Sequence, residues 1–84
     1  MQETAPWIRS CLIHRRFRLS IHAGERGRQR IVTEDDIVRC GKTAKKIMFQ
    51  TQKNTWRVIG IDCSGETLNV ICAVHEMLLI VTVY

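Results

Sequence analysis

Four short strand-forming runs, separated by turn residues, make up the chain from residue 47 to residue 84. The runs cover residues 47–51, 56–62, 68–74 and 77–84, and β-branched residues dominate the last two. The turns between them, such as His75-Glu76, are too short for a crossover, so they predict antiparallel hairpins. The last run is apolar on both faces, which is typical of an interior strand that helices cover on one side. We expect a partner subunit or the N-terminal residues to cover its other face.

A helix start signal precedes these strands at Thr33. Its side chain can cap a helix, Asp36 stands three residues later to complete a variant of the capping box, and Glu34 and Asp35 favour the positive end of the helix dipole. We therefore predict a helix over residues 34–43. Its buried side is expected to contain Ile37, Cys40, Gly41 and Ala44.

Two further elements are predicted upstream of this helix. Residues 17–21 alternate between apolar and polar side chains, which is the period of a half-buried strand. Residues 22–30 are strongly polar, and His22, Arg26 and Arg30 recur at the four-residue spacing of one helical stripe. The predicted order is therefore β-α-α-β-β-β-β, an α+β fold in which two helices pack on a curved antiparallel sheet.

A chain of 84 residues is long enough for only one hydrophobic core. Residues 17–84 are predicted to form this single domain. Residues 1–16 show no sustained helix or strand period, so we expect them to be an N-terminal extension outside the core. Trp7 and Ile8 would dock either on the domain or on a neighbouring subunit, because large apolar side chains are poorly placed in water.

Positive charge is concentrated in the N-terminal part of the chain. Residues 1–50 contain 11 Lys and Arg against 5 Asp and Glu, while residues 51–84 contain 2 against 3. This asymmetry predicts a face that attracts nucleic acid or an acidic protein; the alternative is a solvated surface without a partner. No apolar run is long enough to span a bilayer and no signal pattern is visible, so we expect a cytoplasmic protein without membrane contact.

The cysteine pattern predicts neither disulfides nor a metal centre. Four cysteines are present, but nothing in a chain without an export signal selects for bridges, so we expect four free thiols. No C-x-x-C is present, and no His stands at zinc-finger spacing from a Cys. We therefore expect no metal site and no cofactor.

The stripe of His22, Arg26 and Arg30 is the clearest constellation for chemistry. A His that titrates near neutrality beside two permanent cations can bind and cleave a phosphodiester. The alternative is structural: the arginines pair with carboxylates of the second helix or the sheet, and His22 caps the first helix. Nucleophilic hydrolase chemistry is not indicated, because no nucleophile signature or phosphate-binding glycine loop is present.

Aromatic residues of the strand region offer further contacts. Tyr84 follows the last apolar run, where its phenol can meet a phosphate or a base, or else close the core. Trp56 and Arg57 begin a strand and can stack on a base, although a half-buried structural Trp is the commoner reading. His75 lies in a tight turn and is expected to be a solvated turn residue.

Two segments carry a resemblance to a known family. Residues 22–37 read H-A-G-E-R-G-R-Q-R-I-V-T-E-D-D-I, which resembles the signature H-A-x-E-R-x-x-Q-R-x-I-[ST]-x-x-D-I of a small bacterial domain family of unknown function. The rest of its pattern, G-x-D-x-x-G, L-H-V and T-V-Y, is similar to the residues at 60–65, 68–70 and 82–84. The chain departs from the pattern at Asn69, where the family often has His.

That family is similar to the RelE-like and BrnT-like toxins of bacterial toxin–antitoxin pairs, which are small ribonucleases. The resemblance implies a RelE/BrnT-like fold, RNA as the bound molecule and an antitoxin protein that covers the basic face. It also implies that RNA is contacted by catalytic side chains at His22, Arg26, Arg30 and Tyr84. Further positive charge toward RNA is expected from Arg28, Lys42, Lys45 and Lys46. The alternative function is a non-catalytic interaction module, such as a phage or mobile-element accessory protein, that forms homodimers through the apolar sheet and the extension.

Overall fold

Two helices and five strands form the part of the chain that the structure describes. The structure, a computed structural model, describes residues 5–20 and 32–84. Its helices are α1 (Ala5–Ile13) and α2 (Glu34–Thr43). Its strands are β1 (Phe17–Leu19), β2 (Lys46–Gln50), β3 (Thr55–Ile61), β4 (Thr67–Val74) and β5 (Leu78–Val83). Both helices pack against one sheet, which confirms the predicted α+β class.

The four C-terminal strands and α2 lie where the sequence predicts them, the strands to within one residue at each end. The cap of α2 is the predicted one: Thr33 Oγ1 accepts a hydrogen bond from the Asp36 N–H (3.2 Å), and the Thr33 N–H donates to Asp36 Oδ2 (2.9 Å). The predicted buried side of α2 is also confirmed. The helix predicted over residues 22–30 lies outside the described residues.

The sheet is mixed, so the prediction of a purely antiparallel sheet is wrong at one edge. The strand order is β1-β5-β4-β3-β2, in which β2 to β5 are joined by antiparallel hairpins but β1 runs parallel to β5. No short turn dictates the direction of β1, because the rest of the chain separates it from β5. A bulge interrupts the β4–β5 register, since Ile71 pairs with Thr82 but Cys72 pairs with Ile80. The extra residue, Val81, bends the sheet locally.

Helix α1 belongs to the core, so the prediction that residues 1–16 lie outside it is wrong for the described part of that segment. Ile8 and Leu12 are fully buried and Cys11 nearly so, the spacing of one helix face. Trp7 packs partly against the same cluster. Trp7 and Ile8 were expected to dock either on the domain or on a neighbouring subunit. The structure shows them packed on the domain.

The end of α1 has a left-handed cap on an unusual residue. Arg15 adopts φ 58°, and the Arg16 N–H donates to the Cys11 carbonyl (2.8 Å) as in a Schellman motif. Glycine is the usual residue at this position, and its absence explains why no stop signal is visible in the sequence. The Arg15 guanidinium instead contacts the first turn of α2, where it pairs with Glu34 (3.4 Å) and Asp35.

Two glycines set how closely the layers approach. A Cβ on Gly60 in β3 would lie 2.4 Å from the Cys40 carbonyl oxygen of α2, and a Cβ on Gly41 in α2 would lie 2.7 Å from Leu12 Cβ of α1. Neither position has room for a side chain, because the Cys40 carbonyl and the Cβ of the packed Leu12 cannot move aside. The described residues contain no helix long and apolar enough to cross a membrane.

Candidate functional site

The sheet has a second face, which the two described helices do not cover; we call it the open face. Its residues alternate with those of the helix-covered face, so Arg57 of β3 stands between the inward-facing Trp56 and Val58. Across the sheet Arg57 pairs with Ile71 of β4, which in turn pairs with Thr82 of β5. Along this line the open face carries a cation and a hydroxyl on either side of Ile71, in contrast to the apolar helix-covered face.

A groove of about 320 Å³ lies on this face. Its polar lining includes Gln50, Lys53, Arg57, Thr82 and Tyr84. Ile71 is only 7% exposed at its floor, because the flanking side chains cover it. Among the residues that the structure describes, the charged side chains that line the groove are Lys53 and Arg57, both positive. The volume lies at the lower end for ligand sites and suits a group of about the size of one nucleotide.

Arg57 and Tyr84 form the centre of the groove. The Arg57 Nη2 group donates a hydrogen bond to the Tyr84 phenol oxygen (2.5 Å), and Arg57 Cζ lies 5.7 Å from the centre of the phenol ring. The phenol keeps its own O–H proton for a further acceptor. The pair thus presents a cation, a hydroxyl donor and a half-exposed aromatic ring within one groove.

The guanidinium of Arg57 has unused hydrogen-bonding capacity. Its Nε is buried and has no partner in the described structure, and no described carboxylate pairs with this arginine. A buried donor without a partner costs about 1 to 3 kcal/mol, so such groups are uncommon and call for an explanation. Because this Nε is buried, a ligand in the groove would meet Arg57 through its Nη groups, and the one hydrogen bond described for them is from Nη2 to Tyr84.

Backbone hydrogen bonds hold Tyr84 in place although it lies beyond the end of β5. The Asn69 N–H donates to the Tyr84 carbonyl (2.7 Å), and the Tyr84 N–H donates to the Asn69 carbonyl (2.9 Å). These bonds extend the β4–β5 ladder by one residue pair and place the phenol on the open face. Asn69, the position that departs from the family pattern, thus holds Tyr84 through its backbone.

The structure brings few of the sequence-predicted site residues together. Tyr84 lies in the groove. Lys46 is exposed on the same face, two residues before Met48, which is the residue of β2 that pairs with Arg57. Lys42 is exposed in the last turn of α2, on the other side of the sheet, and Lys45 is exposed in the link to β2. The remaining predicted residues, His22, Arg26, Arg28 and Arg30, lie outside the described part of the chain.

Sequence reasoning paired Trp56 with Arg57, but the structure places them on opposite faces. Trp56 packs on the helix side against Phe49, with ring centres 5.3 Å apart, so it cannot share a base with Arg57. Gln50 and Thr82 were missed as groove residues because their role depends on strand pairing. The available signal was one cation, Arg57, in an otherwise uncharged strand.

Cysteine and acidic groups add no second reactive centre within residues 5–20 and 32–84. None of the four cysteines forms a disulfide, and burial raises the pKa of the Cys72 thiol to about 12, helped by neighbouring Cys40 and Cys11. Cys63 is exposed, but partial desolvation by neighbouring atoms raises the pKa of its thiol, and the Asp36 carboxylate raises it further. No described cluster of three or more His, Cys, Asp or Glu side chains could hold a metal ion.

Comparison with known proteins found no family model, no curated protein and no solved structure that matches this chain.

Proposed function

We propose that this chain is a toxin-like RNA-binding protein, and that RNA lies on the open face with Arg57 and Tyr84 at the centre of the contact. The observation that carries the proposal is the Arg57–Tyr84 groove, in which a cation lies beside an exposed phenol and the charged lining side chains among the described residues, Lys53 and Arg57, are both positive. Arginine binds phosphate and base edges through several N–H donors at once, and a tyrosine ring stacks on an unpaired base.

Single-stranded RNA suits the groove better than a duplex. The phenol can stack only on a base that has left its own stack, and unpaired bases of this kind occur in loops and single strands. Gln50 and Thr82 supply neutral donors and acceptors of the type that contact a ribose hydroxyl or a base edge. Lys46, exposed on the same face, would meet the phosphate backbone beyond the groove.

We further propose that the protein cleaves the RNA that it binds. This more specific proposal rests on the family resemblance. Cleavage needs a group that takes a proton from the ribose hydroxyl and one that gives a proton to the leaving oxygen. The described groove contains no His or carboxylate, so His22 is proposed as one of these groups and Tyr84 as the other. An antitoxin protein is proposed as the partner that covers the basic surface and blocks RNA.

A binding measurement tests the first part. Fluorescence anisotropy of a labelled single-stranded RNA of about 12 nucleotides would be compared for wild type, Arg57→Gln and Arg39→Gln. Arg39 is exposed on α2, so its replacement removes the same charge on the other side of the sheet. We expect Arg57→Gln to weaken binding at least about tenfold and Arg39→Gln less than about threefold. Equal losses in the two variants would mean that only net charge attracts RNA and would reject the groove.

An expression experiment tests the second part. Wild type and His22→Ala would be induced in a bacterial host, with growth and the integrity of total RNA recorded. We expect wild type to arrest growth and degrade RNA, and His22→Ala to lose RNA degradation while retaining RNA binding in the anisotropy assay. If the wild-type protein binds RNA but leaves cellular RNA intact, the proposed ribonuclease activity is wrong and only the proposed RNA binding stands.

A further inference from the structure

The outer edge of β2 has no partner strand in the described part of the chain, and apolar side chains flank it on both faces. Among the strands within residues 5–20 and 32–84, β2 pairs only with β3 and stands at the end of the sheet. Met48 on the open face is 40% exposed, and Phe49 on the helix side is 45% exposed although it contacts Trp56. The strand contains no proline, its register with β3 has no bulge, and it carries only one charge, at Lys46. Exposed edge strands normally carry prolines, bulges or several charged side chains, which prevent pairing with another strand.

We propose that β2 pairs antiparallel with β2 of a second copy of this chain, about a two-fold axis at Met48. This register places Met48 opposite Met48 of the second copy, Ile47 opposite Phe49 and Lys46 opposite Gln50. It is the antiparallel register that pairs all five residues of β2. A two-fold axis of this kind closes the assembly at two copies.

Side-chain chemistry favours this occupant and this direction. The only charged residue of β2, Lys46, meets the neutral amide of Gln50, whereas parallel pairing in register would set Lys46 against Lys46. On the helix side, Ile47 of the second copy covers the exposed ring of Phe49, which is a favourable aromatic and β-branched pair. The exposed apolar surface at the edge is thus covered on both faces by the same contact.

The arrangement also determines where the two grooves lie. Residues that oppose each other in an antiparallel pair point to the same side, so the open faces of both copies form one continuous surface. The helices of both copies lie on the other side. The inference does not depend on RNA, because it rests on β2 alone.

The test is the oligomeric state of the full chain. Sedimentation velocity from about 1 to about 100 µM protein would be recorded for wild type, Met48→Lys and Leu19→Lys. Leu19 is the matched control, since it is 45% exposed on β1 at the opposite edge of the sheet. We expect a wild-type dimer whose dissociation constant rises about 100-fold in Met48→Lys, where two like charges would meet, and is unchanged in Leu19→Lys.

A covalent trap gives a second readout. In a Cys63→Ser background, which removes the exposed thiol, Met48→Cys should form a disulfide-linked dimer under mild oxidation, because the two residues face each other across the axis. Leu19→Cys in the same background should stay monomeric. A wild type that is monomeric throughout the concentration range, or a dimer that Leu19→Lys disrupts and Met48→Lys does not, would overturn the proposal.

Discussion

The two faces of the sheet use the same strands for different purposes. The helix-covered face presents side chains such as Val58, Leu68 and Val70, which are fully buried and apolar. The open face presents Arg57 and Tyr84 from the same or adjoining segments of chain, partly exposed and polar. Because strand side chains alternate, neighbouring residues of one strand can be selected independently for stability and for binding.

Two arginines show the same contrast in detail. Arg9 of α1 donates from Nη1 to the Gly41 carbonyl and from Nη2 to the Ala44 carbonyl, both at 2.8 Å, so it satisfies the C-terminal end of α2. Arg57 leaves its buried Nε without a partner in the described structure. One arginine therefore holds two helices together, whereas the other lines the groove on the open face beside Tyr84.

The largest expected effect is a cavity on the helix-covered face. Leu68→Ala in β4 should lower the free energy of unfolding by about 4 kcal/mol, because a fully buried side chain is removed from the packed core. Its neighbour on the open face, Asn69, is the control, and Asn69→Ala should cost less than about 1 kcal/mol. Urea unfolding followed by circular dichroism measures both. Similar losses in the two variants would mean that the open face is packed as well.

The next effect concerns the close approach of α2 to the sheet. Gly60→Ala should cost about 3 kcal/mol, since its Cβ would lie 2.4 Å from the Cys40 carbonyl oxygen and would push α2 away. Gly65→Ala is the control: no atom lies within 4 Å of its Cβ, and only its φ of 84° is unfavourable. We expect about 1 kcal/mol there. A Gly60→Ala protein as stable as wild type would show that α2 can move without loss.

The two arginines provide a matched pair of smaller effects. Arg9→Met should lower the free energy of unfolding by about 2 kcal/mol, because two charge-assisted hydrogen bonds to the end of α2 are lost. Arg57→Met should leave stability unchanged or raise it by up to about 1 kcal/mol, because a buried unpaired donor is removed. Thermal unfolding of both variants would measure this difference. A marked loss of stability in Arg57→Met would indicate that Arg57 is structural.

The smallest expected effect is a pH dependence at the cap of α2. Hydrogen bonds from the Thr33 backbone, and next from the Cys63 backbone, lower the pKa of the Asp36 carboxyl. Since the folded pKa is below the unfolded one, this contribution is full above the unfolded pKa and is lost as the pH falls through the folded pKa. Its size should be under about 1 kcal/mol, because the carboxylate is close to solvent.

Unfolding in urea between about pH 6 and about pH 2 would detect this contribution in wild type. The control is Asp36→Asn, which keeps an acceptor at the cap but cannot titrate, and its stability should fall less over the same range. An equal fall in both proteins would assign the acid sensitivity to other carboxylates.

The sequence predicted the hairpin strands and α2 because their signals are local. A period of two, short turns and the Thr33–Asp36 cap act over a few residues. It failed for α1, whose short buried stripe contains Cys11 and the β-branched Ile8 and whose left-handed cap residue is Arg15 instead of glycine. Of the candidate groove, it indicated Tyr84 and mentioned Arg57, but it placed Arg57 beside Trp56 although adjacent strand residues point to opposite faces.

Local signals therefore determined the class of fold, the bounds of most elements and the identity of one groove residue. The tertiary structure alone decided that β1 joins β5 in parallel, that α1 enters the core and that Gln50, Arg57 and Thr82 line one groove with Tyr84. The physical reason is range: caps and turns are set by neighbours in sequence, whereas strand order and the facing of a groove depend on burial that many distant residues share. A sheet face thus becomes a site only when its strands are assembled.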